Sequence, residues 1–283
     1  MSNTFTIGRH GSFQLRYGWI TKGIQAIQTQ KSRKIADVFT SDDATVNLGV
    51  GKNMVAAIRY WLMATKVIDN ESITEFGEFL NKNDAYLEDD ASLWLLHLAL
   101  AQNKELSTSI YWLFNHFHQN EFSAEEAGSA FLSYAKENNW KGSEKTLRMD
   151  IQVILRMYAP HKSAKTQIED MLESPLSLLG LIKHFDGKYH FSFDPKNTPI
   201  EVIAHNIGDQ FKGDKPVSIH DLMYGDNAFA PALKIREDEL IAILEKITQK
   251  YGDYHLREDA GVFQLHKSTT IDTYKCLEEY YAA

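Results

Sequence analysis

The residues best suited to chemistry on a phosphate lie near the start of the sequence. Gly8 and Gly11 bracket Arg9 and His10, a spacing typical of a backbone turn that presents two polar side chains. Arginine forms bidentate hydrogen bonds to phosphate oxygens, so this turn predicts phosphate contact. An alternative interpretation is a structural segment whose arginines pair with distant carboxylates. The next cationic residues are Arg16 and Lys22.

Residues 42–69 have the pattern of a helix-turn-helix, in which a glycine-containing turn joins two helices. Residues 48–51 form the predicted turn, and the aspartates at positions 42 and 43 are suited to cap the first helix. The second helix of such a motif presents its first residues to the DNA major groove. Many helical hairpins share this pattern without touching nucleic acid. The predicted exposed positions are Lys52, Asn53, Ala56 and Arg59.

Motifs for several other kinds of chemistry are absent from the sequence. The glycines before Lys52 lack both the spacing of a phosphate-binding loop and the hydroxyl residue after lysine. His116 and His118 are two residues apart, which places them on different faces of a helix, although the spacing suits a metal on a strand or loop; no nearby carboxylate completes such a site. The acidic run 88–90 is more typical of a solvated loop or a helix start than of a nuclease centre. No metal site is predicted.

Charge is distributed unevenly along the 283 residues, whose net charge is −8. Residues 1–36 contain six Lys or Arg and no Asp or Glu, and residues 139–166 contain six against two. A globally acidic protein can bind phosphate backbones through one basic face. The chain has one cysteine, no apolar run near the roughly 20 residues of a membrane span, and no signal-peptide core. We therefore expect a cytoplasmic protein without a membrane partner.

The rest of the chain predicts further helices and two hairpins. Phe5, Ile7 and Phe13 are expected to be buried, and residues 91–101 form an apolar helix that we expect at the centre of the core. Ser123 begins a capping box, and a basic amphipathic helix follows at 144–158. Asp-Gly at 186–187 predicts a hairpin, and a second hairpin is expected around 259–261.

These elements predict a mainly α-helical fold with small β-hairpins, arranged as tandem winged-helix-like units. A hairpin that follows a helix-turn-helix is typical of the wing of a winged helix. We expect a basic segment with the first helix-turn-helix unit over 1–103 and a second winged-helix-like unit over 104–196. A third, acidic unit over 197–283 is better suited to a protein partner or to packing than to DNA.

Several sequence blocks resemble a known bacterial family. The most specific block is Leu48-Gly-Val-Gly-Lys-Asn-Met-Val55 followed by Ile58-Arg-Tyr-Trp-Leu62. Others are Gly8-Arg-His10, Leu15-Arg-Tyr-Gly-Trp19 and Asp221-Leu-Met-Tyr-Gly225. Together they resemble a domain-of-unknown-function family found beside PAPS-reductase-like proteins in DNA phosphorothioation islands, with SspB-type members. The resemblance extends over nearly the whole chain.

The resemblance implies a DNA-acting protein of a phosphorothioation or anti-phage system. SspB-type members are DNA nickases that act with a cysteine desulfurase, an ATPase and a sulfur-transfer protein. Nicking opens one strand so that sulfur can replace a non-bridging phosphate oxygen. Mg²⁺ is the cofactor expected if this chain nicks DNA, and the resemblance carries over no catalytic residue.

Our leading hypothesis is a DNA-binding, strand-nicking protein of such a system. Arg9 and Arg16 would stabilise charge on the scissile phosphate, and His10 would move a proton. One alternative is a non-catalytic DNA-binding adaptor or transcriptional regulator that recruits the sulfur-transfer machinery. Another is a protein scaffold whose helix-turn-helix units only pack. The predicted contacts to double-stranded DNA are Lys22, Lys52, Asn53, Arg59, Lys145, Arg148 and Lys188.

Overall fold

The computed structural model describes residues 5–30, 33–160, 174–192, 198–211, 213, 215–225, 228–259, 261–268 and 272–283. The chain divides into two compact units, residues 1–192 and residues 193–283. Helices dominate, and the described strands form two three-stranded antiparallel sheets, which confirms the mainly helical class with small β elements. In the described ranges, no helix is long and apolar enough to cross a membrane.

The regular elements of the first half of unit 1 are helices, apart from an isolated β-bridge between Ile68 and Ile73 in the described residues. Helix α6 is apolar on all sides and almost completely buried, so the prediction of a core helix is confirmed. Asp89 caps this helix by accepting a hydrogen bond from the Ala91 amide at 2.7 Å. The six helices are α1 (Trp19–Thr29), α2 (Ile35–Thr40), α3 (Ala44–Leu48), α4 (Lys52–Ala64), α5 (Glu75–Asn83) and α6 (Asp90–Ala101).

The predicted turn between the helices of the 42–69 stretch is confirmed. Helix α3 ends at Leu48, Gly49 follows in the left-handed region at φ 64°, and α4 begins at Lys52. The predicted aspartate cap is wrong, because Asp43 makes no side-chain hydrogen bond to the helix start. Its carboxylate pairs with Arg33 at 2.9 Å, and this contact holds the pKa of Asp43 well below its usual value.

The second half of unit 1 combines helices with a small sheet. Strand β3 lies between β1 and β2 in that sheet. The predicted Asp186-Gly187 hairpin is confirmed: both residues have positive φ, and Phe185 lies opposite Lys188. The elements are α7 (Thr108–Asn115), β1 (Glu121–Phe122), α8 (Ala124–Glu137), α9 (Glu144–Tyr158), a 3₁₀ helix (Pro175–Leu179), β2 (Ile182–Phe185) and β3 (Lys188–Phe191).

The predicted capping box at the start of α8 is confirmed and yields a stability prediction. Ser123 Oγ accepts from the Glu126 amide at 3.1 Å, and Glu126 Oε2 accepts from the Ser123 amide at 2.7 Å. We expect Ser123→Ala to lower the free energy of unfolding by about 1 kcal/mol, because one helix-end amide loses its acceptor. Urea denaturation measures the change. Ser133→Ala, on the exposed face of the same helix, is the control, and equal losses in both variants would contradict a role for the cap.

Within the described residues, unit 2 repeats the helix and strand order of the second half of unit 1, except that it lacks the 3₁₀ helix before the hairpin and ends in an additional helix. Strand β6 lies between β4 and β5, and the second predicted hairpin is confirmed because Tyr254 pairs with Lys267 and Asp259 with Val262. Helix α12 (Glu237–Lys250) buries an apolar stripe formed by Leu240, Ile243, Leu244 and Ile247. The elements are α10 (Ile200–Gly208), β4 (Val217–Ser218), α11 (Ile219–Tyr224), α12 (Glu237–Lys250), β5 (Tyr254–Asp259), β6 (Val262–Lys267) and α13 (Lys275–Tyr281).

Candidate functional site

The segment with Arg9 and His10 forms a compact double turn in front of α1. The Gly11 amide donates to Gly8 O and the Phe13 amide to His10 O, both at 3.1 Å. Arg9 is exposed on this turn, whereas only 2% of His10 is exposed. The structure thus sends the two neighbouring side chains in different directions, one into solvent and one into the core.

His10 lies between an aromatic ring and a carboxylate. Its imidazole stacks on Trp61 of α4 with 5.4 Å between ring centroids and an interplanar angle of 11°. Its Nε2 atom is 2.7 Å from Asp150 Oδ1 on α9, which is within ion-pair distance. The contact does not meet the angular criteria of a hydrogen bond. The ring therefore faces these partners rather than solvent. These contacts do not test the proton-transfer role of His10, which stays a prediction.

Asp150 is the centre of this buried polar cluster. It is 3% exposed and accepts a hydrogen bond from the Gly8 amide at 2.6 Å and another from the Ser109 hydroxyl on α7. A carboxylate that is removed from water needs such donors to remain charged. The space that these side chains share with Tyr60 and Ser107 is too small for a water molecule, so the cluster depends on its protein contacts.

Sequence reasoning missed Asp150 and Ser109, although the sequence contained a signal for one of them. Asp150 is three residues after Leu147 and four before Ile154, which places its carboxylate on the apolar stripe of α9. A charged residue on a buried stripe needs a partner.

The predicted burial of Phe5, Ile7 and Phe13 is wrong, because all three are only half-buried. His10 fills the core position of this segment.

The remaining cations near the N-terminus stay at or near the surface. Arg16 is half-buried, with its guanidinium carbon 5.8 Å from the centroid of the Trp19 ring. Lys22 is exposed on α1. Neither position tests the predicted roles in phosphate handling and DNA contact, which stay predictions.

The start of α4 has the character of an anion site. Lys52 and Asn53 are exposed in its first turn, and Ala56 is exposed one turn later. The free amides and dipole of a helix N-terminus favour negative charge, and a lysine in that turn adds to the attraction. Arg59 is half-buried, and its Nε atom has no hydrogen-bond partner within the ranges that the structure describes.

The cations predicted to extend the DNA contact differ in their bonding. Lys145 is exposed in the first turn of α9. Arg148 is bonded to Glu144 at 2.8 Å and to the Ser129 hydroxyl at 3.3 Å. Lys188 pairs with Glu121, which raises the lysine pKa and lowers the glutamate pKa.

Exposed ion pairs of this kind contribute little to stability. Arg148 and Lys188 can therefore exchange their carboxylate partners for phosphate at small cost. These ion pairs do not test the predicted roles of Arg148 and Lys188 as DNA contacts, and both roles stay predictions.

Two of the carboxylates in residues 84–90 accept hydrogen bonds from backbone amides. Asp84 accepts from the amides of Glu88 at 2.9 Å and Asp89 at 3.0 Å, and Asp89 itself caps α6. Across the described part of the chain, no three His, Cys, Asp or Glu side chains are grouped so as to hold a metal ion. The described residues therefore contain no ready-made metal site of three such side chains, and we derive no step through a metal ion.

Fold and surface together define a mainly helical protein with a helical hairpin, a buried His–Asp cluster and two small antiparallel sheets. The chain belongs to the family described as protein of unknown function DUF4007, whose model matches residues 7–281.

Two solved structures resemble the chain over almost its whole length. The crystal structure of magnesium ion-bound SspB matches with a TM-score of 0.82 and 27% sequence identity. The match covers 98% of this chain and 88% of the SspB chain. A second SspB crystal structure has a TM-score of 0.81 with the same identity and coverage. None of the curated proteins matches the chain.

Proposed function

We propose that this protein is a DNA-binding component of a bacterial DNA phosphorothioation and anti-phage system that nicks one strand so that sulfur can be incorporated. The observation that carries the proposal is the likeness to SspB over 98% of the chain. The exposed Lys52 and Asn53 at the start of α4 support it, because helix N-terminal residues of this kind contact DNA in helix-turn-helix proteins.

The order of elements supports an assignment of two winged-helix units. In the second half of unit 1 and in unit 2 the described α-helices and strands begin helix, strand, helix, helix, strand, strand; a 3₁₀ helix precedes the hairpin in unit 1, and another helix follows it in unit 2. In both sheets the last strand lies between the first and the second.

In this assignment α9 and α12 take the place of the recognition helix, and the hairpins β2–β3 and β5–β6 are the wings. Helix α9 has Lys145 in its first turn, whereas α12 begins with Glu237 and Asp238. Of the two assigned winged-helix units, only the one that contains α9 therefore suits a phosphate backbone.

The proposed division of labour follows the exposed cations. Lys52, Asn53 and Arg59 bind the duplex through α4, and the contact extends to Lys22, Lys145, Arg148 and Lys188. Arg9 handles the scissile phosphate. The proposed partners are double-stranded DNA and the other phosphorothioation proteins, a PAPS-reductase-like sulfur-transfer protein, an ATPase and a cysteine desulfurase. The proposed compartment is the cytoplasm.

A second candidate is a non-catalytic adaptor that binds DNA and recruits the sulfur-transfer machinery. The burial of His10 against Asp150 favours it, because a general acid or base must come within hydrogen-bond reach of the reacting atom. The commitment of the Asp84 and Asp89 carboxylates to backbone amides favours it as well. Both candidates predict salt-dependent duplex binding, and only the first predicts strand cleavage.

Incubation with supercoiled plasmid and Mg²⁺ distinguishes the two candidates. We expect relaxed circles to accumulate, and we expect Arg9→Ala to slow their formation by about 100-fold, since a positively charged donor to the transition-state phosphate is lost. Arg236→Ala, an exposed arginine of unit 2 paired with Asp238 and Glu239, is the matched control and should relax plasmid at the wild-type rate. If no relaxed circles form with the wild-type chain, nicking is excluded and the adaptor remains.

A further inference from the structure

Residues 6–13, here called the N-terminal strap, lie across three helices of unit 1. We infer that the strap is a positioning device: the His10–Asp150 pair anchors it on α9 and so holds Arg9 beside the first turn of that helix. The inference rests on the proposed function, since it assigns Arg9 and Lys145 to one continuous phosphate-binding surface. It makes Asp150 and His10 positioning residues for DNA contact.

The strap is bonded to each of the three helices by a hydrogen bond between segments far apart in sequence. One bond joins it to α7, one to α9 and one to α4. Each bond uses a backbone group of the strap. The three bonds therefore fix the path of the backbone and not merely the position of a single side chain. The bonds are Thr6 N to Thr108 Oγ1 at 3.1 Å, Gly8 N to Asp150 Oδ1 at 2.6 Å, and Trp61 Nε1 to Phe13 O at 3.2 Å.

The side chain of His10 contacts both of the helices proposed to bind DNA, α4 and α9. One face of its ring stacks on Trp61 of α4, and its Nε2 atom meets Asp150 of α9. Helix α4 packs mainly against α1, α2 and α3, whereas α9 packs mainly against α7, α8 and the 3₁₀ helix. The His10 ring therefore joins two helices whose principal neighbours differ.

The strap passes close to the first turn of α9. Gly8 has a φ of 73°, and a Cβ atom at this position would lie 2.8 Å from Thr146 Cγ2, so only glycine allows this approach. Arg9 follows Gly8 and is exposed, and Lys145 precedes Thr146 and is exposed. Two cations separated by more than 130 positions in sequence are thus on adjoining stretches of backbone. Neighbouring cations on one surface suit successive phosphates of one strand.

A rigid anchor has a consequence for binding. A flexible arginine must lose conformational freedom when it meets a phosphate, and a strap that is already fixed removes part of that loss. The Asp150 carboxylate supplies the rigidity, because the Gly8 amide and the His10 ring, both in the strap, are its partners. Release of these contacts should therefore remove the contribution of Arg9 while leaving α4 able to bind.

A double-mutant cycle in DNA binding tests the inference. The affinity of a fluorescent 20-base-pair duplex is measured by anisotropy over a range of salt concentrations, for the wild-type chain, Arg9→Ala, Asp150→Asn and the double variant. We expect Arg9→Ala to lower the slope of log affinity against log salt by about one in the wild-type background, since one phosphate contact is lost. In the Asp150→Asn background we expect it to change neither slope nor affinity.

Two further variants keep the test decisive if Asp150→Asn fails to fold. His10→Gln removes the imidazole and leaves Asp150 with its other donors, and it should abolish the Arg9 contribution in the same way. Ser109→Ala removes one donor to Asp150 without touching the strap, and Arg9→Ala should keep its full effect in that background. The thermal midpoint of each variant confirms that it is folded at the assay temperature.

The outcomes separate the inference from the proposed function. If the wild-type chain binds duplex and Arg9→Ala has the same effect in every background, the strap inference is overturned and the proposed function stands. The inference is also overturned if Arg9→Ala has no effect in the wild-type chain. If the wild-type chain binds no duplex, the proposed function is overturned and the inference falls with it.

Discussion

Replacement of Asp150 by alanine is expected to lower the free energy of unfolding by about 3–5 kcal/mol. The carboxylate is 3% exposed, and its removal leaves the Gly8 amide and the Ser109 hydroxyl buried without their acceptor. The His10 ring loses its charged partner in the same step. Urea denaturation followed by circular dichroism measures the loss.

Asp42→Ala is the matched control for this prediction. Asp42 is an aspartate of the same unit, but it is exposed, so its removal should change stability by no more than about 0.5 kcal/mol. A loss below about 1 kcal/mol for Asp150→Ala would contradict the network. It would mean that the donors around Asp150 find other acceptors, and the strap could then not be held in the way that we infer.

The double variant Lys52→Glu plus Arg59→Glu is expected to weaken duplex binding by about 100-fold at low salt and to lower the salt slope by about two. Each phosphate neutralised by a cation releases about one counterion, so two lost contacts give an effect of this size. The introduced carboxylates also oppose the dipole at the start of α4, which favours negative ligands. Anisotropy titrations with the same duplex at several salt concentrations measure both quantities.

The control for this variant must change the net charge by the same amount. Lys82→Glu plus Lys136→Glu does so at exposed positions on α5 and α8, outside the proposed contact surface. We expect it to weaken binding much less, because distant charges act only through the screened overall field. Equal losses in both double variants would show that net charge alone determines binding. Unchanged binding in the α4 variant would favour a protein scaffold whose helical hairpins only pack.

Local chemistry determined the features that the sequence predicted correctly. Gly49 ends α3 in the left-handed region, and Asp186-Gly187 turns the β2–β3 hairpin at positive φ, since few residues adopt that conformation. The Ser123 capping box needs only groups within four consecutive residues. The unbroken apolar run of α6 can only be stable in a core. In each case the partners are neighbours in sequence, so their types and spacing suffice.

Long-range contacts decided the rest, and the sequence predicted some of it wrongly. Asp43 is placed to cap α3, yet Arg33 takes its carboxylate. The aromatic and apolar residues near the N-terminus predicted its buried face, yet Phe5, Ile7 and Phe13 are half-buried and His10 enters the core. A histidine can do so because Asp150, 140 positions away, supplies a buried charge, and Trp61 supplies a flat apolar surface.

The sequence by itself determined which local elements form, which residues carry positive charge, and the family to which the chain belongs. Only the tertiary structure decided which of those residues are exposed. Arg9 and His10 have nearly identical sequence environments, but one is exposed and the other is buried. The physical reason is that burial depends on what packs from elsewhere. The Gly8–Thr146 approach and the Asp150 network fix the strap on α9 through contacts that span most of unit 1.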